Sequence, residues 1–142
     1  MSMTVKELVL DIKNKPGELA RIIGHLYEND VKVPAFWVGG TSKKTTLRFI
    51  ASDPDAAMSV LTGLGCKVKT MDVIAVQVPN HPGGLNSMLK VLQGANINIL
   101  QIYPCLQTED SIMILQVDRT DEAVAVLKDN WINLYDRKVY SL

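Results

Sequence analysis

The chain has only two cysteines, Cys66 and Cys105, and no Cys-x-x-Cys. Thirty-nine residues separate them, so neither a disulfide framework nor a paired-thiolate site is indicated. No sign of charge predominates, with Lys+Arg 15 against Asp+Glu 15. Phosphate binding is driven by clustered Lys and Arg, so a dedicated nucleic-acid binder is excluded, and a polybasic membrane anchor with it. No window approaches the roughly 18 consecutive apolar residues of a membrane span. Lys6 and Glu7 precede only a short apolar run, so no signal peptide is read at the start and a cytoplasmic protein with free thiols is expected.

What is present is a globular composition, 47% hydrophobic and 21% charged over 142 residues. A chain of this size buries roughly two thirds of its unfolded surface and needs no metal or disulfide staple. It also repeats itself. Residues 14–19 read Asn-Lys-Pro-Gly-Glu-Leu and residues 80–85 read Asn-His-Pro-Gly-Gly-Leu, an offset of 66. The same offset, with no gap, places Leu8, Leu10 and Ile12 on Ile74, Val76 and Val78, and Val31 and Val33 on Ile97 and Ile99. Two modules follow, 1–72 and 73–142, with almost no linker.

Each module carries the same coarse pattern. Leu8, Leu10 and Ile12 alternate with Glu7, Val9 and Asp11, as in a half-buried strand. A Pro-Gly loop then opens a helix with an apolar stripe at Leu19, Ile22, Ile23 and Leu26, or at Leu85, Met88, Leu89 and Leu92. Second strands are expected over 32–38 and 98–103, and third strands over 45–51 and 111–117. Ser52-Asp53-Pro54 and Asp118-Arg119-Thr120 supply caps for second helices. Last strands are expected over 66–70 and 134–141. The order β-α-β-β-α-β, twice, predicts an α+β fold of two ferredoxin-like modules, antiparallel sheets with helices on one face.

The helix-free face would carry Val9, Asp11, Arg48 and Ile50 in the first module, and Ala75, Gln77, Ile112, Ile114 and Gln116 in the second. That is too apolar for water, so a partner chain or the other module is expected to cover it. Trp37 and Tyr103, aligned at the ends of the second strands, read as packing residues, and Trp131 as a cover for the core beside the last helix.

Ferredoxin-like modules host unrelated functions, so the site must decide. RNA recognition needs aromatics on the central strands, and Glu7, Val9, Asp11, Thr46, Arg48 and Ile50 include none. The first loop holds no thiolate pair for a soft metal. His25 and His81 form no Ser/His/Asp arrangement, and there is no phosphate loop. What remains is the repeated loop. Proline is pre-set for a helix start, and glycine lets the backbone bend. The free N–H groups of the first turn suit a carboxylate, and an Asn offers both a donor and an acceptor.

Asn-x-Pro-Gly-x-Leu opening the first helix of a βαββαβ module resembles the ACT domain, a regulatory module that binds amino acids. The resemblance covers nearly the whole chain, as a tandem pair without a catalytic domain. It implies small effectors bound between modules, the loop of one facing the second-strand start of the other. Asn98 matches the family's Asn at that strand start, whereas Lys32 stands in its place in the first module. One implied site joins Asn14, Pro16, Gly17, Glu18 and Leu19 to Asn98. The other joins Asn80, Pro82, Gly83, Gly84 and Leu85 to Lys32, with His81 in the same loop. Lys32 cannot accept a hydrogen bond from an ammonium, which favours the first site. Glu18 would repel a nearby carboxylate and Gly84 leaves room for backbone approach, which favours the second. The expected protein is a non-catalytic, allosteric sensor of an amino acid, a homodimer with no cofactor, acting on itself or on a partner enzyme or regulator. The alternatives are a ligand-free structural or interaction subunit, and an enzyme, for which no acid, base and nucleophile are found together.

Overall fold

The computed structural model describes residues 3–106 and 108–142. The elements run β1 (Val5–Ile12), α1 (Glu18–Glu28), β2 (Ala35–Gly40), β3 (Thr45–Ile50), α2 (Pro54–Gly63) and β4 (Val68–Gln77). The second half continues with α3 (Gly84–Gly94), β5 (Ile99–Pro104), β6 (Ile112–Val117), α4 (Thr120–Asp129), β7 (Leu134–Tyr135) and a 3-10 turn (Arg137–Ser141). This is the βαββαβ order twice. Among the described residues no helix is long and apolar enough to cross a membrane.

All strand pairs are antiparallel, in the order β2-β3-β1-β4-β6-β5. The last strand of the first half and the first strand of the second are one strand. Val68 to Val73 of β4 pair with β1, and Ile74 to Gln77 pair with β6. The repeat boundary at 72/73 therefore falls inside β4. β7 also pairs with β4, opposite Ala75 and Val76.

Side chains alternate across this sheet, and the alternation sorts three cores. Leu8, Leu10, Leu47 and Phe49 pack under α1 and α2 against Ile22, Leu26 and Leu61. Ile74, Val76, Leu115 and Val117 pack under α3 and α4 against Met88, Leu92 and Leu127. The opposite face gathers Val5, Ile50, Val73, Ala75, Ile112 and Ile114 into a third core. The sheet curls until its outer strands touch. Ala35 bridges Cys105, and the Leu106 N–H donates to the Pro34 carbonyl at 2.6 Å. The helix-free face is thus covered by the other half of the same chain, with Trp37 and Tyr103 packed into it as expected.

Glu7 departs from the sequence reading, which places it on the polar side of a half-buried strand. It is fully buried in the third core. Tyr103 Oη donates to Glu7 Oε2 at 2.5 Å, and Arg48 Nη1 donates to Glu7 Oε1 at 3.1 Å and to Gln116 Oε1 at 3.3 Å. Four strands, β1, β3, β5 and β6, meet at this cluster. Burial raises the Glu7 carboxyl above its ordinary value, outweighing the Tyr103 hydrogen bond and the Arg48 charge that pull it down. Burial and the Glu7 charge raise the Tyr103 hydroxyl in turn. Arg48 Nε is buried with no partner.

Three local expectations are corrected. The last strand shrinks to Leu134–Tyr135, because the chain then turns to bury Val139 in the third core and Tyr140 accepts the Lys6 N–H at 2.7 Å. Asp53 caps α2 as expected, accepting from the Ala56 N–H, but the matching cap of α4 is Arg119, whose side chain has no acceptor, and Asp118 holds the Asn98 N–H as Ser52 holds that of Lys32. Trp131 covers no core and is 93% exposed. It stands where Gly65 ends α2, in the same left-handed backbone (φ 61 against 84), which aims the indole outward while Ile132 packs inward as Cys66 does.

Two outcomes are expected. Arg48→Met leaves Glu7 without its counter-charge and lowers the unfolding free energy by about 3 kcal/mol at pH 7. A carboxyl whose folded pKa is raised favours folding as pH falls from above that pKa toward the unfolded value of 4.5, so the deficit narrows at pH 5. Urea denaturation at the two pH values measures both. Trp131→Gly relieves a left-handed β-carbon and raises stability by roughly 0.5–1 kcal/mol, read from the same titration.

Candidate effector site at the Pro-Gly loops

The two loops have one backbone. In the first, the Lys15 N–H donates to the Lys13 carbonyl at 3.0 Å and the Glu18 N–H to the Lys15 carbonyl at 3.4 Å. In the second, the His81 N–H donates to the Pro79 carbonyl at 3.0 Å and the Gly84 N–H to the His81 carbonyl at 2.9 Å. Gly17 and Gly83 then take left-handed φ values of 85 and 86 as the N-caps of α1 and α3. Only glycine holds that conformation without strain. Pro16 and Pro82 therefore lie one residue before the cap rather than on the first helical residue. Neither helix has a side-chain cap, so no side chain closes over the first-turn N–H groups.

The loops differ in what surrounds them. Asn14 Nδ2 donates to the Ser42 carbonyl at 3.2 Å, which ties the first loop to the turn between β2 and β3. Asn80 is exposed, and the His81 ring lies 2.9 Å from the Pro82 carbonyl, held by its own loop. Position 84 admits only glycine, because a Cβ there would lie 2.0 Å from the Pro79 carbonyl oxygen. At position 18 a full side chain fits. Glu18 is buried, and Arg21 Nε donates to its Oε1 at 2.6 Å. That bond holds the Glu18 carboxyl below its ordinary value, helped by the charges of Lys15 and Lys13.

Leu19 and Glu18 turn to different cavities. Leu19 lines a groove of about 420 Å³ between α1 and the start of β2, with Ile23, Tyr27, Lys32, Phe36 and Leu106. Its walls are mostly apolar. Tyr27 and Phe36 stand in the open there, and the stripe that carries Leu19 and Ile23 reaches Tyr27 at the next i+4 step. Leu106 arrives from the second half of the chain, just after β5, and no local signal marks it. Leu85, at the corresponding place in the second loop, is 45% exposed.

The second-strand starts are held alike. The Lys32 N–H donates to Ser52 Oγ at 2.8 Å, and the Ser52 N–H returns a bond to the Lys32 carbonyl at 2.8 Å. Asn98 and Asp118 repeat this pair 66 residues on, at 3.0 and 3.1 Å. The Lys32 and Asn98 residues are exposed. Lys32 shares the groove of Leu19, and Asn98 lines a cleft with Leu89, Gln93 and Asn96 of its own half. Among the described residues no hydrogen bond or ion pair joins either loop to the strand start of the other half. No group of three His, Cys, Asp or Glu among them could hold a metal ion.

Comparison with known proteins agrees with the fold. Residues 3–141 match a protein family described as an ACT domain pair. The fold is similar to that of protein BT0572 from Bacteroides thetaiotaomicron, with TM-score 0.92 and 26% identity over 99% of this chain and 98% of that one. It is also similar to the ligand-free regulatory subunit of aspartate kinase from Thermus thermophilus, with TM-score 0.64 and 16% identity over 89% and 90%. The regulatory subunit from Thermus flavus gives TM-score 0.59 and 15% identity over 89% and 91%. No protein of curated function matches the chain in sequence. The match spans both copies of the loop and of the βαββαβ order, and the chain belongs to the ACT domain pair family, whose modules are regulatory and ligand-binding.

Proposed function

We propose that this chain is a non-catalytic sensor that binds an amino acid at its Pro-Gly loops. The observation that carries the reading is the pair of uncapped helix starts on left-handed glycines, Gly17 and Gly83, built with the same backbone bonds. First-turn N–H groups without a side-chain cap suit an α-carboxylate. Asn14 keeps its side-chain carbonyl for the ammonium while its Nδ2 is tied to Ser42.

The first site takes Asn14, Pro16, Gly17, Leu19 and only the backbone of Glu18 from one chain, and Asn98 from a second copy. The second takes Asn80, His81, Pro82, Gly83, Gly84 and Leu85 with the second copy's Lys32. Within one chain, Lys32 and Asn98 line cavities with their own helices, which supports assembly of the sites in a homodimer; as a sensor of free amino acid the protein would act in the cytoplasm. Glu18 is engaged by Arg21 and lines another cavity, which removes the like charge that counted against the first site. Ligand bound across the dimer favours that assembly only through its higher affinity for it. By this route the sensor acts on itself or on a partner enzyme. The likeness to regulatory subunits of aspartate kinase supports a role of this kind.

A thermal-shift screen of the purified protein against the twenty amino acids tests this. A ligand at 100 times its dissociation constant adds about 2.7 kcal/mol, several degrees for a chain of this length. Asn98→Ala is expected to abolish the shift and leave the unliganded melting point in place. Asn14→Ala is expected to abolish it as well, with about 1 kcal/mol or less of unliganded stability lost with the Ser42 bond. If no amino acid shifts the melting point, the assignment fails and the chain reads as an interaction subunit; a shift that survives Asn98→Ala overturns the first site and leaves the second, with Lys32.

A further inference from the structure

We propose that the first half carries a second ligand site, a cleft on the Glu18 side of the first loop that takes a small organic anion of charge about −2, a phosphate monoester or a dicarboxylate. The cleft measures about 500 Å³ and lies between the end of β1, the first turns of α1, the end of α2 and the start of β4. Its charged lining is Asp11, Lys13, Glu18, Arg21 and Lys67.

The charges do not cancel. Glu18 takes only the Nε of Arg21, at 2.6 Å, and so fixes the guanidinium while its two terminal nitrogens remain as donors. Asp11 is occupied by Lys44 at 3.6 Å and by the Thr46 hydroxyl at 3.0 Å. Lys13 and Lys67 form no ion pair among the described residues. The register of β1 and β4, with Leu10 opposite Val68, brings Lys13 and Lys67 to the same end of the strand pair. A positioned arginine and two free ammonium groups thus line one concavity.

The repeat shows that the fold does not require these charges. Sixty-six residues on, Asp11, Lys13, Glu18, Arg21 and Lys67 become Gln77, Pro79, Gly84, Ser87 and Asn133, and every charge is gone. Most of the apolar lining persists, Ile12 as Val78, Ile22 as Met88 and Cys66 as Ile132, while Leu64 becomes Asn130. In that half the Pro79 carbonyl closes on position 84, where Glu18 has room for its side chain in the first. The second half forms the same elements without the charged set.

Titration calorimetry and thermal shift at low ionic strength, with inorganic phosphate, with succinate and with chloride at matched ionic strength, test the site. Phosphate alone, succinate alone, or both are expected to bind above the chloride control, and which one does names the class. The double variant Lys13→Gln/Lys67→Gln changes two exposed side chains and is expected to weaken binding at least tenfold while the amino-acid response stays unchanged. Arg21→Gln is expected to weaken it further, with some loss of stability from the unpaired Glu18. No binding above chloride, or equal binding by the double variant, overturns the proposal. Because the probes and variants avoid Asn14 and Asn98, failure here is separable from failure of the amino-acid site.

Discussion

One strand serves two sheets. Residues 68–73 of β4 complete the ladder of the first half and residues 74–77 begin that of the second, with no turn between them. The two halves therefore cannot swing as separate bodies on a linker. Neighbouring strands twist by about 20° each, and across the order β2-β3-β1-β4-β6-β5 this brings the outermost strands round to meet at Ala35 and Cys105. The helices are left outside, and the face without helices becomes an interior. An exposed apolar face, which would otherwise call for a partner chain, is satisfied within the molecule.

That interior is not uniformly apolar. Glu7, Arg48, Tyr103 and Gln116 join two strands of the first half to two of the second. A buried ion pair is weak evidence of stability, since desolvation opposes the attraction. Its other effect is to penalise misalignment. A one-residue slip of β5 turns Tyr103 to the opposite face and leaves the buried Glu7 carboxylate short of a donor, and a slip of β6 removes the Gln116 oxygen that accepts from Arg48. The cluster is thus suited to setting the register in which the halves close, whereas Val5, Ile50, Val73 and Ile114 supply the burial.

The repeat is symmetric in its backbone and asymmetric in its charges. Both loops use the same two hydrogen bonds and a left-handed glycine cap, and both second strands are held by the same reciprocal pair. The repeated loop was legible, because Pro-Gly spacing acts over a few residues, whereas the reciprocal pairs were not, since Ser52 and Asp118 read only as cap residues of the second helices. Nor were the consequences of Glu18 against Gly84 legible. Whether a side chain at that position faces a ligand or turns into a neighbouring cleft depends on Arg21, Lys13 and Lys67, brought together only when β1 meets β4. Tyr27 was readable on its helical stripe, while Leu106 joined the groove through the contact that closes the sheet.

The 66-residue repeat, the order of elements and the paired Pro-Gly loops were determined by the sequence alone, since each rests on local periodicity or turn chemistry, and the resemblance to the ACT domain was carried by the Asn-x-Pro-Gly-x-Leu motif in that setting. Tertiary structure decided the rest. It fused two expected strands into β4, buried Glu7, shortened the last strand to two residues and left Trp131 in water. Trp131 follows its left-handed backbone at the end of α4, and the other three share one physical reason. A residue's environment in a curled sheet is set by strands that arrive from far along the chain, as Tyr103 reaches Glu7 across 96 positions, and no pattern within a short window encodes which strand that will be.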